Sequence, residues 1–248
     1  MVMKQDICDF IQYLHQEKQT SENTEVSYER DLTKMSTYLK EHGVDAIDAI
    51  TADNLSTYVL HLEDCGLKPA TVSRSIASMK AFFHYETMRK KICLDPSVKL
   101  KAPKIEKKER VALSREETDR LLAQPVVTSP KGLRDKAMLE LLYSTSIRVS
   151  ELISLQLSDV NLKEGYLICS DMHKERTIPL NMIVQEALEN YLENARMILV
   201  KDEKSSWLFT NCTGGAMSRQ GFWKLIKSYG KKAGIDSELT SHILRQTK

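Results

Sequence analysis

The chain has 248 residues, 42% hydrophobic and 28% charged, with a formal net charge of +2. That is globular composition, long enough for two cores, and the scarcity of glycine (9) and proline (6) favours helices over a sandwich or barrel. No apolar run approaches the roughly 20 residues of a membrane helix, and Asp6 interrupts the stretch where a secretory leader needs unbroken apolar residues, so a cytoplasmic chain with no membrane partner is expected.

Ile7, Phe10, Ile11 and Leu14 recur at i, i+3, i+4 and i+7 and predict a first helix. A second is predicted from about 24 to 41, with Val26, Leu32, Met35, Tyr38 and Leu39 as its stripe and Gly43 as its stop. Thr51 suits the cap of a third helix running through Leu62 and ended by Gly66. Pro69 fits the first turn of a fourth, which carries Val72, Ile76, Met79, Phe82 and Phe83 on one side. Arg74 and Lys80 fall elsewhere on that helix and are expected to stay free for an outside partner. The following DPSVKLKAPKIEKKER holds Pro96 and Pro103 and has no period, so an extended basic linker is predicted, with Lys101 and Lys104 turned to a phosphate backbone.

Beyond it, Ser114 and Glu117 have the spacing of a capping box. The run from about 133 to 144 is so apolar (Ala137, Met138, Leu139, Leu141, Leu142) that its helix should be central. A short helix from about 150 to 155 follows Arg148. Tyr166–Cys169 and Arg176–Leu180 flank a polar tip and predict a hairpin. Helices follow at about 181–197 and 219–232, and a last begins near Ser241.

Mapping the charge makes the small net value informative. Residues 68–91, 96–110 and 218–248 carry +5, +4 and +5, which leaves −12 for the rest of the chain. Such focusing is what a phosphate-binding surface needs. Five well-separated cysteines form no CxxC, and the six histidines show no ligand spacing, so neither a metal nor a cofactor is expected.

Two segments carry the chemistry. LLYSTSIRVSELISLQLSDV places Arg148 in an R-x-S-E-L run behind an apolar helix, and GGAMSRQGFWKLIKSYGKKAGIDSELTSHILRQ ends in an H-x-x-R box of His242 and Arg245. Between them a hairpin closes with KERTIPL. In this order and spacing they resemble the first arginine box, the hairpin and the second box of the tyrosine recombinase, or phage integrase, family in its Xer-like form. The likeness covers essentially the whole chain.

The resemblance implies a mainly α fold with a small β-hairpin or sheet in the second domain. Residues 1–95 would be a helical core-binding domain of the SAM-like kind, 96–110 the basic linker and 111–248 the catalytic domain, truncated. The implied reaction is tyrosine-mediated cleavage and rejoining of DNA strands. Arg148 and Arg245 would converge on the scissile phosphate, where planar, permanently charged guanidinium groups best meet charge on the non-bridging oxygens. His242 is the histidine of the second box. Arg219 and Gln220, with Lys224 a turn further on, would approach the DNA. The implied partners are double-stranded DNA and a homologous recombinase protomer.

The departures gather at the chemistry. Gln246 stands where the family has a histidine, and all nine tyrosines precede the second box, so no nucleophile is present. Alignment on K-E-R puts Asp171 where the family has its general-acid lysine, and Lys174 substitutes only if the hairpin tip is re-registered. Ser144 and Ser146 occupy positions where the family prefers glycine, and each adds strain wherever the backbone needs a positive φ. The expectation is a recombinase-family chain that binds duplex DNA but has lost strand cleavage. The alternatives are a non-catalytic DNA-binding regulator and a gene remnant.

Overall fold

The computed structural model describes residues 2–105, 113–171, 174–201 and 204–235, and it divides into two compact units, Met1–Lys108 and Glu109–Lys248. Unit 1 consists of α1 (Val2–Gln16), α2 (Glu22–Glu41), α3 (Ala52–Asp64) and α4 (Pro69–Met88). The starts follow local chemistry: the Ser21 hydroxyl accepts the Thr24 N–H at 3.3 Å, and Thr51 and Asn54 cap α3 reciprocally. α4 is the centre of the unit, with Val72, Ile76, Met79, Phe82 and Phe83 buried, and Phe82 meets Phe10 of α1 edge to face at 5.6 Å.

Two expectations change here. Val26 lies outside the apolar stripe and is 57% exposed. Its neighbour Glu25 turns inward instead, where the Thr20 hydroxyl donates to its carboxylate at 2.9 Å. The predicted linker is also not extended at its start. The Asp95 carboxylate accepts from both the N–H and the hydroxyl of Ser97, at 2.8 and 2.6 Å, and the resulting turn seats Leu100 in the unit 1 core.

Unit 2 contains α5 (Arg115–Leu122), α6 (Pro130–Thr145), α7 (Val149–Ser154), β1 (Val160–Asn161), β2 (Tyr166–Asp171), β3 (Lys174–Pro179), α8 (Met182–Tyr191), α9 (Met197–Leu199) and α10 (Arg219–Lys232). α6 is buried all round from residue 137 to 142, and Ala137, Met138, Leu139, Leu141 and Leu142 have no solvent exposure. Around it pack α5, α7 and α8. The predicted hairpin is present, with antiparallel register from Tyr166↔Pro179 to Asp171↔Lys174. A two-residue β1, too short to leave a sequence signal, extends it to three strands in the order β1-β2-β3. Between α8 and α9 the helix widens into a π-turn at Leu192–Arg196. There the buried Arg196 guanidinium donates to the carbonyls of Ser205 and Trp207, at 2.7 and 2.8 Å, and fixes the loop that leads toward α10. Among the described residues no helix is long and apolar enough to cross a membrane.

Candidate functional site

The arginine box is built at the C-terminal end of α6. The helix stops because Ser146 adopts the left-handed conformation, φ 54° and ψ 26°, with its N–H still bonded to the Leu142 carbonyl at 3.0 Å. A non-glycine residue pays roughly 1 kcal/mol there through its Cβ. Ser144, the other position expected to need glycine, keeps helical backbone and carries no such strain. Buried Ile147 then anchors the turn, and Arg148 opens α7.

One helical turn later stands Glu151, buried at 6% exposure. Its Oε2 accepts the Arg148 backbone N–H at 2.6 Å and Nη2 of Arg176 at 2.9 Å, and its Oε1 lies 3.6 Å from Nη1 of Arg148. A single buried carboxylate thus sits between two guanidinium groups, one from α7 and one from β3, whose side chains are 53% and 46% exposed. This tie couples the arginine box to the hairpin. Arg176 was not among the sequence-derived site residues; the signal for it was its place in K-E-R. Cys169 pairs across the strands with Arg176, and its thiol is pushed up to about 11 by burial and, next, by the charge of Glu151, so it stays protonated at neutral pH.

Lys174 stands in register opposite Asp171 at the last pair of the hairpin. His242 and Arg245 lie outside the described residues, as does the helix expected near Ser241. Among the described residues the structure brings Arg148 together with Glu151 and Arg176.

α10 begins as expected. The Ser218 hydroxyl accepts the Gly221 N–H at 3.0 Å, and Arg219, Gln220 and Lys224 are exposed. The helix contains no acidic residue, and Lys227 lies over the Trp223 ring at 5.5 Å. It is tied to α6 by polar groups that the sequence reading passed over. The Tyr229 hydroxyl donates to Oδ2 of Asp135 at 2.8 Å, and Nε and Nη2 of Arg134 donate to Oδ1 of Asp135 at 2.9 and 2.6 Å. Nη1 of Arg134 reaches the Thr210 carbonyl at 2.8 Å. Burial, and then the bond to Asp135, hold the Tyr229 hydroxyl far above its ordinary range, so it remains a neutral donor. Adjacent opposite charges inside an otherwise apolar run were the available signal.

In unit 1, Lys80, Lys101 and Lys104 are exposed as expected. Arg74 is not free: its Nε and Nη2 donate to the two carboxylate oxygens of buried Asp31 at 2.8 and 2.9 Å. Arg89 pairs with Asp9 at 3.3 Å, and Lys91 pairs with Asp6. Three of the six cations counted in the 68–91 window are thus occupied by acids of α1 and α2, and that window is less cationic than its composition implied.

Comparison with known proteins places this geometry. The Phage integrase family model matches residues 112–248, and the model for the Phage integrase, N-terminal SAM-like domain matches residues 7–90. A protein of Caldanaerobacter subterraneus subsp. tengcongensis that bears a tyrosine recombinase name is 42% identical over 239 residues, 96% of this chain and 81% of that protein. The tyrosine recombinase XerD of Staphylococcus haemolyticus is 38% identical over 246 residues, 99% of this chain and 83% of that one. Among solved structures, the Tn1549 transposon integrase in complex with circular intermediate DNA shares the fold, with a TM-score of 0.76 at 21% identity over 97% of this chain and 84% of that chain. By family model and relatives alike, the chain belongs to the phage integrase family of tyrosine recombinases.

Proposed function

We propose that this chain binds duplex DNA as a site-specific recombinase does, with Arg148 addressing the non-bridging oxygens of a target phosphate. The observation that carries the reading is the Glu151 bridge. It fixes the backbone at Arg148 and leaves that guanidinium half exposed beside the hairpin. A planar cation held at such a point meets charge on a phosphate at little cost of reorganisation. Arg245 and His242 complete the second box in the sequence, and Arg219, Gln220 and Lys224 supply contacts from the start of α10. A second protomer of the family is the proposed protein partner.

With K-E-R aligned on the family's, Asp171 occupies the position of the general-acid lysine. An anion there repels a phosphate and has no proton to give at neutral pH. The 248-residue polypeptide is therefore expected to hold DNA without joining it covalently. A nicked duplex that traps the covalent intermediate of tyrosine recombinases tests both halves. The expected result is a shifted complex on a native gel and no adduct after SDS. An SDS-stable adduct would overturn the loss of cleavage, and the absence of any shift would overturn the binding.

A further inference from the structure

A second cationic feature of unit 2 lies well away from the arginine box. It is a cavity of about 310 Å³ between α10 and the N-terminal end of α6. Lys131 stands in the first turn of α6 and Arg148 just past its C-terminal end, and at roughly 1.5 Å per residue the helix alone spans about 20 Å. One face of α10 forms a wall through Lys224, Ser228 and Lys232, Lys131 of α6 stands opposite, and Asn211 and Cys212 close the rim.

Lys131, Lys224 and Lys232 are all exposed. Among the described residues no carboxylate pairs with the lysines of this cavity. Lys232 instead lies over the Tyr229 ring at 5.5 Å. The one acid among the described lining residues, Asp135, is saturated by Arg134 and the Tyr229 hydroxyl. That buried pair is neutral as a unit and serves as a rigid floor, while the three ammonium groups above it supply the field. Flexible point charges around an open hollow suit a phosphate of a polyanion better than a shaped small molecule, since they follow a backbone without reading a geometry.

We propose that this cavity anchors a backbone phosphate of duplex DNA, at a point separate from the arginine box. The inference rests on the DNA-binding reading and extends it to a residue set that includes Lys131, Ser228 and Lys232. Free phosphate esters share the chemistry, so the test must separate the two sources.

Cys212 provides the probe. It is exposed at the rim, with its sulfur 4.0 Å from Nη1 of Arg134. The full chain is treated with iodoacetamide alone, with saturating duplex, or with pyrophosphate, and Cys212 modification is followed by peptide mass spectrometry. With duplex at ten times its Kd, modification should slow about tenfold, as occupancy requires, and pyrophosphate at equal phosphate concentration should have no such effect. In a Lys131→Ala, Lys232→Ala protein that melts at the wild-type temperature, the slope of log K against log salt should become shallower by about two. Unchanged Cys212 reactivity in a chain shown by gel shift to be DNA-bound would overturn the anchoring site and leave the DNA-binding reading standing. Protection by pyrophosphate but not by duplex would assign the hollow to a free phosphate and overturn the duplex as its occupant. If no duplex is bound at all, the DNA-binding reading fails first, and the proposal falls with it.

Discussion

Ser146 holds the left-handed turn that delivers Arg148 to the start of α7, and the contact is strained only because a Cβ is present. Ser146→Gly is expected to stabilise unit 2 by about 0.5–1 kcal/mol, once the looser unfolded chain of glycine is set against the relief. Urea denaturation checks this, and a destabilised variant would show that the serine contributes more through its interactions than its backbone costs. At this scale the sequence was informative where a residue's role is set by its neighbours in the chain. Arg148, Glu151, the caps at Thr51 and Ser114 and the serine that takes a positive φ were all legible, and of the two serines weighed there only Ser146 needs it. It was uninformative where the partner comes from elsewhere. Asp31 claims Arg74 across 43 positions, and no local pattern announces that.

α1 and α4 meet over a cluster of charges whose balance depends on pH. Glu86 of α4 is sealed from solvent with no hydrogen-bond partner for either carboxylate oxygen. Asp6 and Asp9 face it from α1, and Arg89 and Lys91 from the end of α4. Burial, and then the charge of Asp6, hold its carboxyl above the usual range, and the two cations only partly offset this. The unfolded chain sheds this proton near about pH 4.3, whereas the folded chain keeps it to higher pH. The folded state therefore binds more protons across that window, and the stability of unit 1 falls as pH rises through it. Asp9, held below its usual range by Gln5 and Arg89, works in the opposite sense but equally in wild type and variant. Glu86→Gln lacks the titration at position 86. Its urea midpoint should exceed that of the wild type increasingly as pH rises from about 4 to 7, and a constant gap would remove Glu86 as the cause. Elements with full periodicity or clear caps were legible in the sequence: α3 by its Thr51 cap, α4 by its stripe, α6 by its unbroken apolar run. β1 was not, because two residues carry no period, nor was Val26, because a locally satisfied Glu25 took its place in the core.

Across the whole chain, positive charge sorts into two kinds. In unit 1 half of the cations in the 68–91 window are absorbed by acids on neighbouring helices. Along α10 no acidic residue is present and the lysines lie over aromatic rings or face solvent. Net charge by window predicted both regions equally; only tertiary pairing distinguishes them. The proposed DNA surface is thus weighted toward unit 2, with Lys80, Lys101 and Lys104 as the exposed contributions of unit 1. Such a surface binds largely by releasing counterions, so its affinity must depend steeply on salt. The most direct measurement is a duplex-binding isotherm by fluorescence anisotropy at graded salt, for the wild type and for Arg148→Ala. The wild type should show log K falling linearly with log salt, and the variant should bind more weakly with a slope shallower by about one. Binding indifferent to salt, or an Arg148→Ala protein with the affinity and slope of the wild type, would contradict a phosphate-binding role for the arginine box.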